Sequence, residues 1–288
     1  MMGNMHLRSS AALIAALAFL LPARAAYSWG VQGHRIIADI AADRLSPEAR
    51  QNLRELLGDN DLASISTWAD DIRNDRPETK PWHYVDIPST AGGYDAARDC
   101  QQDNCVVARI RLFAHVLADA NQPLADRQEA LKFLVHFVGD LHQPFHALAD
   151  ARGGNDVPVS VAGSQQCGDT PCELHGVWDT ELIRHAWLSD SQYVARVEAM
   201  ISKRHIRAGA DTPEQWANES LQLAKQVCVE PGANIDEAYY ERELPVLDRQ
   251  LALAGLRLAR ILNEELGRDP KNPWEPSKPA TTDPGARD

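Results

Sequence analysis

The stretch that decides the fold reads FLVHFVGDLHQPFH and runs from Phe133 to His146. Its apolar residues recur at helical spacing, and a proline follows, so we predict a helix that ends before Pro144. On this helix His136 and Asp140 are four residues apart and lie on one face. The turn at Pro144 brings His146 back towards the same place. Because imidazole and carboxylate groups are zinc ligands, the stretch predicts a metal site.

A second pair repeats the same spacing. In the segment ELHGVWD, His175 and Asp179 are also four residues apart. Two such pairs in one chain predict a cluster of ions instead of a single ion. His142 lies inside the first motif but off its ligand face, so we expect it to face solvent or to support the ligands from outside.

Helical periodicity dominates the rest of the chain. The last predicted helix runs from about Val246 to Leu266, with Gly267 as its C-cap. Residues 156–161 alternate like a strand, and residues 75–105 are rich in proline, glycine and aspartate, as in a long functional loop. We therefore expect an all-α, single-domain multi-helix bundle with long loops and at most one short hairpin.

The first residues have the pattern of a secretory signal peptide. Arg8 precedes an apolar segment, Ala11 to Leu21, that is too short to span a membrane. Small residues mark two cleavage points, after Ala25 and after Ser28, and the second makes Trp29 the first residue. An uncleaved anchor is the alternative, but no stop-transfer pattern follows. We expect a secreted or periplasmic protein, cleaved after Ser28.

Length and charge limit the remaining choices. We expect residues 29–268 to form one domain with a substantial core, and residues 269–288, rich in proline and charges, to form a disordered tail. The formal net charge of −12 argues against a broad basic surface that binds duplex nucleic acid. It is compatible with nucleic acid as a substrate held in a local metal site.

Four of the five cysteines form two short-spaced pairs. Cys100 and Cys105 are separated by four residues, and so are Cys167 and Cys172. In an exported chain this spacing favours local disulfides over metal thiolates. Cys228 is left over, and we expect it to be a free, buried thiol.

Further histidines and acids surround these motifs in a fixed order. The residues in question are Trp29, Gly33-His34, Trp68-Ala69-Asp70 with Arg73, His83-Tyr84-Val85-Asp86, His136 with Asp140, His146, Gly153-Gly154-Asn155, and His175 with Asp179. This order resembles that of the trinuclear-zinc, single-strand-specific nucleases, the S1/P1 nucleases. The resemblance covers nearly the whole chain from Trp29 to the final helix, and it implies the helical bundle shared by these nucleases and phospholipases C.

The resemblance also implies three zinc ions per chain. The first ion takes Asp70, His83, His136 and Asp140. The second takes His146, His175 and Asp179. The third takes the amine and carbonyl groups of Trp29, together with His34 and Asp140, so that Asp140 bridges two ions.

The activity implied is hydrolysis of single-stranded DNA and RNA to 5′-phosphorylated nucleotides by a zinc-bound hydroxide, with 3′-nucleotidase activity on 3′-nucleotides. Asp70 orients the nucleophile, and Arg73 stabilises the phosphoryl group. Tyr84 stacks on the base, and Asp86 binds the base edge. Asn155 contacts the phosphate region. We expect a monomer with no stable protein partner and no membrane association.

Two alternatives stand beside this interpretation. Zinc-dependent phospholipases C share the cluster but end it with a His-x3-Glu pair, whereas this chain has His175 and Asp179. The aspartate therefore favours a nuclease over a lipid hydrolase. The second alternative is a non-catalytic zinc-binding protein, which would bind metal and hydrolyse neither substrate.

Overall fold

The computed structural model describes residues 29–267. The predicted signal peptide, its cleavage after Ser28 and the predicted tail therefore lie outside the described residues. The α-helices, in chain order, are α1 Val31–Ala42, α2 Pro47–Leu57, α3 Leu62–Ile65, α4 Trp68–Asp71, α5 Ala96–Asp99, α6 Val106–Ala118, α7 Leu124–Asp140, α8 Leu174–Gly176, α9 Leu182–His185, α10 Asp190–Arg204, α11 Pro213–Val227 and α12 Glu237–Leu266.

Short helical turns of other kinds connect these helices. The 3-10 turns are Pro77–His83, Gln101–Asp103, Pro144–Ala147 and Asp150–Arg152, and a π-helical turn spans Val177–Glu181. The predicted all-α fold is confirmed. None of the helices within residues 29–267 combines the length and apolar character needed to cross a membrane.

The strands are two residues long and form two small sheets. β2 (Gln166–Cys167) pairs with β3 (Thr170–Pro171) in an antiparallel hairpin, and β1 (Ser160–Val161) pairs with β4 (Asn234–Ile235) in parallel. One hairpin agrees with the prediction, but the parallel pair is additional. Only the end of the strand-like segment 156–161 becomes a strand, because Ser160 and Val161 alone pair with β4.

Helix α7 lies at the centre of the bundle. Every residue from Phe133 to Asp140 is buried, and α7 packs against α1, α4, α6 and α12. A helix that is apolar on all sides belongs in a core, and this one carries His136 and Asp140 into the interior. Its position fixes where the predicted metal ligands can meet.

Helix α12 braces α1 and α7. Its end at Leu266 and its C-cap Gly267 agree with the prediction, but it begins at Glu237 and not near Val246. Pro245 is accommodated inside the helix, whose true start is capped by the side chain of Asp236. Pro245, which would normally interrupt a helix, therefore does not mark its start here.

The two predicted disulfides are present, Cys100–Cys105 and Cys167–Cys172. The first joins the end of α5 to the start of α6 and so pins the long 75–105 segment to the bundle. Cys228 is free, but it is exposed, so the expectation of a buried thiol was wrong. It follows the last residue of α11, where the chain leaves the helix and Val227 takes the buried position.

Candidate metal centre

The end of α7 supplies the first two candidate ligand side chains. Nε2 of His136 lies 3.3 Å from Oδ2 of Asp140, and both residues are fully buried. Nδ1 of His136 donates a hydrogen bond of 2.7 Å to the carbonyl oxygen of Ser66. This bond fixes the ring and its tautomer, so that Nε2 is left to face a metal.

Two residues from earlier in the chain complete this first group. Asp70 lies on α4, and His83 is the last residue of the Pro77–His83 turn. Nδ1 of His83 lies 2.9 Å from Oδ2 of Asp140, 3.7 Å from Oδ1 of Asp70 and 3.2 Å from Nε2 of His136. The structure thus brings together the four side chains proposed for the first ion.

His34 approaches Asp140 from the other side. Nε2 of His34 lies 3.4 Å from Oδ1 of Asp140, and its ring stacks on His136 with 3.9 Å between centroids. The two carboxylate oxygens of Asp140 therefore face different histidines, as a bridging ligand requires. Trp29 is buried beside them, with its indole Nε1 donating to the carbonyl oxygen of Gly139 at 2.7 Å.

The second group forms where two separate segments meet. Donor atoms of His146, His175 and Asp179 lie within 4.8 Å of one another. Nδ1 of His146 donates to the carbonyl oxygen of His83 at 2.7 Å, and Nδ1 of His175 donates to that of Gly153 at 2.6 Å. Both imidazoles therefore present Nε2, and that of His175 lies 3.3 Å from Oδ2 of Asp179.

Several buried polar atoms of these groups lack a hydrogen-bond partner in the described part of the chain. They include both nitrogens of His34, Oδ1 of Asp70 and Oδ2 of Asp179. A buried unpaired polar group costs about 1–3 kcal/mol, so such atoms normally bind an ion or a ligand. Clustered imidazole nitrogens and carboxylate oxygens suit zinc, and the donor set therefore fits that metal.

Comparison with known proteins agrees with this geometry. The model of the S1/P1 nuclease family matches residues 29–267. The chain belongs to the S1/P1 nuclease family. Its relatives include nuclease P1 of Penicillium citrinum, 30% identical over 84% of this chain and 99% of the relative. Endonuclease 2 of Arabidopsis thaliana is 31% identical, over 84% and 91%, and nuclease S1 of Aspergillus oryzae is 28% identical, over 85% and 94%.

S1/P1 nucleases are zinc-dependent, and the neutral state of two buried histidines suits that role. Burial lowers the pKa of His146 to about 4 and that of His175 to about 3, so both imidazoles are neutral at pH 7. Burial raises the pKa of Asp70 to about 6. At Asp140 burial acts in the same upward direction, but the surrounding histidines outweigh it and hold the pKa well below its usual range.

Gln143 is a residue of this nuclease centre that the sequence did not single out. Its Nε2 donates to Oδ1 of Asp179 at 2.6 Å, and its Oε1 accepts from the backbone N–H of Phe145 at 2.6 Å. Gln143 thus holds Oδ1 of Asp179, while Oδ2 has no hydrogen-bond partner among the described residues. Its position beside the Pro144 turn, between the predicted ligands Asp140 and His146, was the sequence feature that could have indicated this role.

His142 does not face solvent, so that part of the expectation was wrong. It is fully buried under α12, where its Nε2 accepts from Nη1 of Arg257 at 2.8 Å. Nδ1 donates to the carbonyl oxygen of Val138, and Gln250 donates to the carbonyl oxygen of His142. His142 therefore joins the end of α7, just beyond Asp140, to α12.

The predicted substrate-binding residues lie around the ligand groups. Nη1 of Arg73 is 3.4 Å from Oδ1 of Asp70. Tyr84 directly follows His83 and is 39% exposed, and Asp86 is exposed two residues further on. Asn155 uses its side-chain amide to donate to the carbonyl oxygen of Arg152 at 2.7 Å, so it stabilises its own loop.

Proposed function

We propose that this protein is a zinc-dependent phosphodiesterase that hydrolyses single-stranded DNA and RNA to 5′-phosphorylated nucleotides and releases phosphate from 3′-nucleotides. The observation that carries the proposal is the position of Asp140, whose two oxygens face His34 on one side and His83 with His136 on the other. A shared carboxylate of this kind holds two ions close together, as in two-metal phosphoesterases. Membership of the S1/P1 nuclease family supports nucleic acid as the substrate.

Three ions would be held by the side chains already described and by the backbone of Trp29, the first residue after the predicted cleavage. The first ion is assigned to Asp70, His83, His136 and Asp140. The second is assigned to His146, His175 and Asp179. The third is assigned to His34, Asp140 and the amine and carbonyl groups of Trp29, which requires cleavage after Ser28 and export of the chain.

Bound zinc supplies a hydroxide nucleophile near neutral pH and neutralises charge on the phosphoryl oxygens. The protein contributes orientation and further charge. Asp70 combines burial, a raised pKa and an oxygen without a hydrogen-bond partner, so it can accept a hydrogen bond from the attacking water and fix its direction. Arg73 lies beside Asp70, where its planar guanidinium can stabilise the charge that builds up on the phosphoryl oxygens.

Recognition of an unpaired base would explain single-strand specificity. The exposed ring of Tyr84 offers a stacking surface beside ligand His83, and a base within a duplex cannot reach it. The exposed carboxylate of Asp86 can accept hydrogen bonds from the donor groups of a base edge. Asn155 would lie near the phosphate. Stacking tolerates every base, so we propose low sequence preference.

The decisive experiment compares three substrates with zinc-loaded protein that begins at Trp29. We expect acid-soluble nucleotides from single-stranded DNA, phosphate from a 3′-nucleotide and no phosphocholine from phosphatidylcholine. Asp140→Asn should lower both nucleic acid activities by at least about 100-fold, because two ions lose a ligand. Asp39→Asn, a half-buried aspartate elsewhere on α1, is the matched control. Hydrolysis of phosphatidylcholine alone would refute the proposal in favour of a phospholipase C, and metal binding without hydrolysis would favour a zinc-binding protein.

A further inference from the structure

The loop after His146 carries unusual backbone strain. Four consecutive residues, Ala151, Arg152, Gly153 and Gly154, have positive φ angles of 49°, 50°, 60° and 81°. For the alanine and the arginine this conformation costs about 1–2 kcal/mol each. Such strain persists only where the surroundings impose it, and it is concentrated at functional sites.

The strained loop contacts the candidate metal centre. The carbonyl oxygen of Gly153 accepts the 2.6 Å hydrogen bond that orients the ligand His175. A side chain on Gly153 would meet the carbonyl oxygen of Phe145 at 2.5 Å, so the loop is pressed against the His146 turn. Arg152 therefore directly precedes a residue that positions a metal ligand.

The same loop runs beside the segment that bears Tyr84. The N–H of Val85 donates to the carbonyl oxygen of His146 at 2.8 Å, and the N–H of Ala149 donates to that of Ile87 at 3.0 Å. The loop that carries Arg152 therefore adjoins both the segment of the proposed base platform and the second ligand group.

The guanidinium itself is available to a ligand. Its side chain is 74% exposed and lies 3.0 Å from the carboxylate of Asp156, which is 52% exposed. Exposed pairs of this kind are weak and exchange readily for a stronger anion. A guanidinium held on a rigid backbone has the fork geometry that binds phosphate oxygens in pairs.

We propose that Arg152 binds the 5′-phosphate of the nucleotide whose base stacks on Tyr84. This inference rests on the proposed function, to which we add that the ion held by His146, His175 and Asp179 would receive the leaving 3′-oxygen of that nucleotide. When the base stacks on Tyr84 and the 3′-oxygen lies at the second ligand group, the 5′-phosphate is the remaining charged group of the nucleotide. In a longer strand it is the next phosphate upstream of the cleaved bond.

The test uses two dinucleotides, pdTpdT with a 5′-phosphate and dTpdT without one, and the zinc-loaded protein. The readout is the ratio of their kcat/KM values. We expect the wild type to favour pdTpdT by at least about tenfold, the usual effect of a hydrogen bond to a charged group, and Arg152→Gln to bring the ratio close to one. Arg184→Gln is the matched control, because Arg184 is 63% exposed and pairs with Glu181 one helical turn away.

A second variant changes the ratio in the opposite direction. Asp156→Asn removes the carboxylate that competes for Arg152, so the preference for pdTpdT should increase. Phosphorothioate analogues of the two dinucleotides serve as inhibitors, and the ratio of their inhibition constants measures the same preference as a difference in binding. A wild-type ratio near one, or an unchanged ratio in Arg152→Gln, would overturn the inference even if that variant were less active on both substrates. A wild type that cleaves neither dinucleotide would refute the proposed function and this inference with it.

Discussion

The amide of Gln143 determines how Asp179 can bind a metal. Gln143→Met keeps the size of the side chain but removes both of its buried hydrogen bonds. Oδ1 of Asp179 and the N–H of Phe145 would then be unpaired, at a cost of about 1–3 kcal/mol each to the stability of the protein. Loss of such an outer hydrogen bond also weakens metal affinity by about 10–100-fold, or about 1.4–2.8 kcal/mol at one site.

Zinc titration against a competing chelator measures the affinity, and urea unfolding of the zinc-free protein measures the stability. Gln250→Met is the control, since Gln250 is also buried and donates one hydrogen bond, to the carbonyl oxygen of His142 and not to a ligand. We expect both variants to lose stability and Gln143→Met alone to lose affinity at one site. Equal zinc affinities in the two variants would refute the view that Gln143 prepares Asp179 for metal.

Three further predictions address the metals, the base and the first residue. Removal of zinc from a site that was saturated at a free zinc concentration of 1,000 times Kd should lower the free energy of unfolding by about 4 kcal/mol. Calorimetry should then show a Tm that is lower by about 8–16 °C. An unchanged Tm would mean that the buried ligands bind no stabilising metal. Tyr84→Ala should raise the KM for single-stranded DNA by about 5–100-fold, whereas Tyr84→Phe should leave it unchanged, because stacking needs only the aromatic ring. Equal effects of the two substitutions on KM would exclude stacking. Protein that keeps one residue before Trp29 should bind fewer zinc ions in elemental analysis than protein that starts at Trp29, and equal zinc contents would contradict the third site.

Local spacing explains why part of the centre was readable in the sequence. His136 with Asp140 and His175 with Asp179 are each four residues apart, and helical or near-helical backbone alone brings such pairs together. The disulfides follow from the same logic, since Cys100 and its partner are joined by a short loop. The helical bundle followed from periodicity, which is also a local property.

Side chains that depend on distant packing were predicted less well. His142 looked peripheral on its own helix, but α12 covers it and buries it. Cys228 looked like a core residue, but the chain leaves α11 at that point and exposes it. The predicted start of α12, near Val246, lies too late in the chain. Pro245 favours a helix that starts after it, but the cap at Asp236 starts the helix earlier and the folded helix accommodates the proline.

The sequence by itself determined the ligand types and their local pairing. The tertiary structure decided that the pairs meet. Packing of α1 and α4 against α7 brings His34 to Asp140 and Asp70 to His136, and the turn at Pro144 places Gln143 against Asp179. The positive φ angles in the loop at Arg152 likewise belong to the folded structure, and the spacing of residues in the sequence does not predict them. The physical reason is that backbone geometry relates near neighbours in sequence, whereas a metal centre needs groups from segments that only the buried core holds together.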